Sequence, residues 1–165
     1  MFVKWIGCSV LSSKLLLFSA AQGKWSSLSN VEGCIGQLGG WEPRKEMSIA
    51  HIFGFWTDEL SYQQFMNEDH DDIYERTGQS GTFEGINIVF GRMPGDALSS
   101  IIISKSDRIR CISENSDKAS FTKLQLLALA RVQFESKIMW KADHMKGVHL
   151  DIELEPSWTI TGGNS

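Results

Sequence analysis

"HIFGFWTDELSYQQFMNEDHDDIY", His51 to Tyr74, is the stretch on which the reading of the fold rests. Ile52 to Trp56 is a dense apolar and aromatic run, short enough for a buried strand. Thr57 follows as the expected N-cap, and Asp58 and Glu59 place negative charge in the first helical turn, where the helix dipole favours it. Tyr62, Phe65 and Met66 then share one helical face at i, i+3, i+4 spacing. A strand therefore feeds an amphipathic helix with almost no loop.

The residues before it read as a matching strand, helix and strand. Phe2 to Val10 alternates, with Val3, Trp5 and Gly7 on one face and Phe2, Lys4, Ile6 and Cys8 on the other. Ser12 or Ser13 caps a helix in which Leu11, Leu15, Phe18, Ala21, Trp25 and Leu28 recur at three- and four-residue steps. Gly23 inside it costs about 1 kcal/mol relative to alanine, so packing has to hold that turn. "GCIGQLGGW" (Gly33 to Trp41) is a glycine-rich strand whose glycines suit either a bulge or close packing, or a backbone left open to a ligand. It is not a phosphate loop, because no helix N-terminus follows. "EPRKE" (Glu42 to Glu46) turns the chain into the central strand. After the central helix, Thr82 to Phe90 forms a fourth strand. Strand, helix, strand, strand, helix, strand is the ferredoxin-like α+β arrangement: an antiparallel sheet with both helices on one face. Its other face is left bare and needs a second copy or a partner to cover it.

"MFVKWI" at the start, "VEGCIGQLGGW" (Val31 to Trp41), "FGFW" (Phe53 to Trp56) and "FMNEDHDDIYE" (Phe65 to Glu75) resemble the uncharacterised YdbC-like bacterial family over roughly the first 95 residues. The resemblance implies the dimeric α/β-barrel superfamily, with the antibiotic-biosynthesis and haem-degrading monooxygenases. It implies an action on an aromatic or polycyclic small molecule without a cofactor, and a homodimer in which two sheets bury each other. Haem-degrading relatives carry an asparagine on the first strand and a tryptophan and histidine on the last helix. This chain has Trp5-Ile6-Gly7 and Phe65 at the comparable places, so haem degradation is not implied.

"GRMPGD" (Gly91 to Asp96) reads as a linker that divides a ferredoxin-like domain at 1–94 from a partial second repeat at 95–165. In the second part a short helix is expected over Ala97–Ser106 and a strand over Arg108–Ile112. A long Leu-rich helix from Ser120 to about Trp140 and an alternating strand from Met145 to Leu154 follow. Leu124, Leu127, Leu129, Phe134 and Ile138 on that helix form an apolar surface that has to be buried, which argues for association.

The chain of 165 residues has a hydrophobic content of 42%, a soluble globular balance. A net charge of −4 leaves no basic footprint, so nucleic acid is not an expected partner. Cys8, Cys34 and Cys111 are odd in number and widely spaced, which suits a reduced, cytoplasmic protein. Ser12, Ser13 and Lys14 interrupt the apolar run near the N-terminus, so no secretory signal or membrane span is expected.

Six Trp and nine Phe against two Tyr either fill a core or line an apolar pocket. Trp5, Trp25, Trp56 and Phe65 are the candidate ligand-binding residues. His70, in "EDHDD", is a candidate acid or base at a pocket edge, set against a polar helix start capped by Asp69. His51 is a second candidate, set against a hydrogen-bonded structural histidine. His149, Asp151 and Glu153 share a strand face but stand about 7 Å apart, so a solvated face is expected and no metal site is assigned. No nucleophile elbow appears and no cysteine has a paired base. Two classes of function compete: a cofactor-independent monooxygenase, which the resemblance implies, or a non-catalytic small-molecule-binding or assembly module.

Overall fold

A strand that is apolar on both faces belongs in the interior of a sheet. Strand β1 (Phe2–Leu11) has β3 (Met47–Trp56) on one side and β4 (Gly85–Arg92) on the other, both antiparallel. In the computed structural model, which describes residues 1–93, 100–114, 121–128, 133–140 and 150–163, β2 (Cys34–Glu42) flanks β3 and gives the order β4-β1-β3-β2. This is the antiparallel α+β arrangement expected from the element order.

The helices of this half occupy the expected segments, but neither Ser12 nor Ser13 caps the first: both lie in a 3-10 turn, Ser12–Lys14, and Ser12 Oγ donates to the Glu46 carbonyl at 3.1 Å. Helix α1 (Leu15–Gln22) changes at Gly23 into a 3-10 segment, Gly23–Asn30, so the glycine changes the helix type rather than ending the element. Helix α2 (Glu59–Glu68) is capped by Asp58, whose Oδ1 accepts the Ser61 N–H at 2.8 Å. The expected cap, Thr57, instead meets Ser61 through its hydroxyl at 3.0 Å. Helix α3 (His70–Thr77) begins one residue after α2 ends, and Asp69 at the joint makes no side-chain cap. It stops at Gly78, whose left-handed φ of 68° suits glycine.

The second half adds α4 (Ser100–Lys105), β5 (Ser106–Glu114), β6 (Phe121–Ala128), β7 (Gln133–Trp140), β8 (Leu150–Glu153) and β9 (Ile160–Thr161). The helix expected from Ser120 to Trp140 is thus a pair of strands in antiparallel register, Phe121 opposite Met139 through Leu127 opposite Gln133. Its leucine-rich run satisfies a period of two as well as one of 3.6, and pairing with β5 settles it as strand. The last alternating strand is seen from Leu150, while 141–149 lie outside the described residues.

The nine strands of the described residues form one sheet, in the order β8-β5-β6-β7-β4-β1-β3-β2-β9. The halves join where Gly91 and Arg92 of β4 pair with Trp140 and Met139 of β7. The sheet then curls until its ends meet: Leu154, just past β8, bridges Gly40 on β2, and the Glu155 N–H donates to the Gly39 carbonyl at 2.8 Å. Inside lie Val3, Trp5, Leu38, Phe53, Phe55 and Val89 from the first half. Ile109, Leu150, Ile152 and Leu154 meet them from the second, with Ile103 of α4. The face expected to be bare is therefore covered by the chain's own strands. Among the described residues no helix is long and apolar enough to cross a membrane.

Closure requires a glycine at position 40, where a Cβ would lie 2.1 Å from the Glu153 carbonyl oxygen. Gly40→Ala is expected to destabilise the protein by about 2 kcal/mol or more in urea unfolding. Gly85→Ala, whose Cβ meets nothing closer than 3.9 Å, changes stability by less than about 0.5 kcal/mol.

Candidate functional site

On the helix-bearing side of the sheet, β3 presents Ala50, Ile52, Gly54 and Trp56 in alternation. Gly54 brings no side chain to that surface. Lys4 of β1 and Gln37 of β2 both pair with Gly54, one from each side, so the three residues form a single row across the sheet. A cavity of about 300 Å³ lies over this row, between sheet and helices.

The cavity floor is Lys4, Ile6, Cys8, Gln37, Ile52, Gly54 and Trp56, extended by Ile86 and Ile88 of β4. Trp25, Leu28, Tyr62, Phe65, Met66, His70 and Tyr74 face them from the helical layer, and Gln22, Gln79 and Phe83 complete the wall. The rings are held in place. Trp25 Nε1 donates to Gln79 Oε1 at 2.7 Å, and Gln79 Nε2 donates onward to Gln22 Oε1 at 2.7 Å. Phe65 stacks on Trp56 with centroids 4.8 Å apart. The His70 ring runs parallel to Tyr74 at 6.0 Å and lies edge-on to Phe65 at 5.6 Å.

His70 Nδ1 is 2.8 Å from Asp71 Oδ1. With Nδ1–H donating to that carboxylate, Nε2 is left as the basic nitrogen of a cavity-lining ring. Burial shapes the other ionisable groups. It pushes the Lys4 ammonium down to about 8, and the Cys8 and Cys34 thiols up to about 12, with the Tyr62 phenol. At neutral pH both cysteines are therefore thiols rather than thiolate nucleophiles.

Four of the six expected site residues, Trp25, Trp56, Phe65 and His70, line this one cavity. Trp5 and His51 do not. Both point to the opposite face of the sheet, where Trp5 Nε1 donates to His51 Nδ1 at 3.2 Å and His51 Nε2 donates to Glu42 Oε2 at 3.0 Å. Both ring nitrogens of His51 are thereby used. Burial lowers its pKa against the opposing pull of Glu42, so the imidazole is neutral. Burial pushes Glu42 upward, but the hydrogen bonds from His51 and Arg44 outweigh it and hold the carboxyl below its usual range. His51 is a structural histidine bridging β3 to the end of β2.

The sequence reading missed Lys4, Gln37 and Gly54. Its one available signal was a polar residue breaking an otherwise apolar strand face, Lys4 among Phe2, Ile6 and Cys8. Among the described residues no three His, Cys, Asp or Glu side chains gather to hold a metal. His149 lies outside the described residues, and Asp151 is ion-paired with Arg108.

Comparison with known proteins adds the family. Residues 2–90 match the family model described as Domain of unknown function (DUF4937). The chain belongs to this family. It is 34% identical over 89 residues to "Uncharacterized protein YdbC" of Bacillus subtilis (strain 168), covering 53% of this chain and 75% of that protein. Its fold is similar to the crystal structure of a "putative monooxygenase" from Fusobacterium nucleatum, with a TM-score of 0.60 at 10% identity, over 99% of this chain and 95% of that one. That likeness spans both halves, so the fold of the whole chain has a solved counterpart.

His51 makes stability depend on pH. The unfolded imidazole binds its proton near 6.5, whereas the folded one resists it, so the unfolded state holds more protons below that value. Its contribution to stability is complete above pH 6.5 and declines as the pH falls below it. In thermal melts from pH 8 to 5, His51→Gln, which can still accept from Trp5 and donate to Glu42, is expected to show a shallower loss of Tm than the wild type.

Proposed function

We propose that the chain binds a flat aromatic or polycyclic molecule in this cavity and oxygenates it without a bound cofactor, in the manner of the dimeric α/β-barrel superfamily. The observation that carries the reading is an aromatic-walled cavity of about 300 Å³ with the His70–Asp71 pair in its wall. The fold likeness to a protein named as a monooxygenase supports it at the level of fold alone. In this reading His70 Nε2 takes a proton from an acidic C–H or O–H of the substrate, leaving an electron-rich anion that reacts with dioxygen. A ring CH₂ is thereby converted to C=O: one oxygen atom enters the substrate, and the other leaves as water with the two hydrogens.

A non-catalytic small-molecule-binding or assembly module is the second reading. It is favoured by the position of Asp71, whose side chain is 97% exposed and so is a weak anchor for a general base. In the same proposal, 1–94 is a ferredoxin-like unit and 95–165 a partial repeat that takes the place of a partner's sheet. The buried free thiols of Cys8 and Cys34 fit a cytoplasmic setting. Homodimerisation belongs here too, supported by the exposed side chains of Leu16, Leu17 and Leu60. A mass in solution that stays monomeric at high micromolar concentration would remove it.

Turnover of an anthrone-type substrate is expected under air, to stop under anaerobic conditions, and to fall about 100-fold in His70→Gln. Turnover indifferent to oxygen rejects the oxygenase reading. Tight binding with no turnover supports the module.

A further inference from the structure

The cavity is walled by apolar and aromatic side chains, yet three residues with hydrogen-bond donors line its floor, and among the described residues no acceptor meets those donors. Gln37 is 6% exposed, and among the described residues its Nε2 has no partner. Lys4 is 9% exposed; its ammonium lies 5.2 Å from the centre of the Tyr62 ring, and among the described residues no carboxylate meets it. Trp56 Nε1 borders the space over Gly54: a Cβ built there would lie 3.4 Å from that nitrogen and closer to nothing else.

The register explains why these donors belong to one small stretch of the cavity floor. Lys4 and Gln37 both pair with Gly54, so their backbones stand about 10 Å apart, two strand spacings, with an empty position between them. Both side chains are long enough to reach over the glycine from either side. A purely apolar ligand would leave all three donors unmatched, while a small inorganic anion would leave the aromatic space above them unfilled.

We infer that Lys4, Gln37 and Trp56 form an oxyanion seat, and that the cavity takes a flat aromatic molecule whose ionised oxygen, carboxylate or phenolate, lies in the gap over Gly54. The ring system fills the space between Trp25, Phe65 and His70, and the charge pairs with Lys4. The inference rests on the cavity assigned above as the ligand site, and it holds whether or not oxygen is consumed there.

Titration calorimetry with 2-naphthoate and its neutral counterpart 2-naphthamide tests it. The wild type is expected to bind naphthoate about tenfold more tightly than naphthamide. Lys4→Met abolishes that preference, lowering naphthoate affinity about tenfold while naphthamide changes less than about threefold. Its Tm does not fall, because a buried unpaired charge has been removed. Lys4→Arg keeps the charge and serves as the second variant. Gly54→Val fills the gap with a residue suited to strands and weakens both probes at least about tenfold. Equal affinity for the two probes, or a naphthoate preference unchanged in Lys4→Met, overturns the inference, as does failure of the wild type to bind naphthoate. Naphthoate binding without any oxygen-dependent turnover sinks the oxygenase reading alone. Oxygen-dependent turnover of a neutral substrate with no naphthoate preference sinks the seat alone.

Discussion

Strand β1 is paired along almost its whole length on both sides, Phe2 to Leu11 with β3 and Phe2 to Ser9 with β4. Because side chains alternate across a strand, that single register assigns residues to two interiors at once. Val3 and Trp5 go into the space closed by the second half, while Lys4, Ile6 and Cys8 go under the helices. A slip of one residue would exchange the two sets, placing Trp5 beneath Tyr62 and the Lys4 ammonium inside an apolar barrel. The rest of the molecule depends on this register, including the row of Lys4, Gly54 and Gln37 that shapes the cavity.

The two histidines picked from the sequence show how differently one residue type is used on the two faces. His51 has a donor on one ring nitrogen and an acceptor on the other, and it titrates only at the expense of that network. His70 is anchored on one side by a water-exposed carboxylate and keeps its other nitrogen free of the scaffold. Lys4 contrasts with both. Holding its ammonium in a site that lowers its pKa from 10.5 to about 8 costs on the order of 3 kcal/mol at neutral pH. Nothing in the packing around it returns that energy, apart from the face of Tyr62. A methionine would fill the same space more stably, so the lysine is better understood through what it binds than through what it supports.

The first six elements could be read from the sequence because short apolar runs bounded by polar turns mark β1 and β3, and three- and four-residue steps mark α1 and α2. The cap shifted by one residue because Thr57 and Asp58 are both competent, and the carboxylate is the stronger acceptor for the Ser61 N–H. The pair β6 and β7 could not be read, because long-range partners decided between two periods that its leucines fit equally well. For the site, the aromatic residues Trp25, Trp56 and Phe65 stood out by type. Trp5 was grouped with them because alternation separates two faces without saying which of them carries the helices. Gly54 was invisible for a related reason: its contribution is an absence, meaningful only once Lys4 and Gln37 are placed beside it.

The bridge between Gly40 and Leu154 joins segments far apart in the chain, and this bears on the order in which the protein can form. During synthesis, β2 and its partners emerge long before the segment at 150–161 exists. Until then the outer edge of β2 shows unpaired N–H and C=O groups to the cell, and the inner rings Trp5, Phe53 and Phe55 lack their lid. Contacts so far apart in sequence form late and slowly. A nascent chain paused before residue 150 would therefore present a sticky half-barrel, and the speed with which its closing segment arrives governs how much of it escapes aggregation.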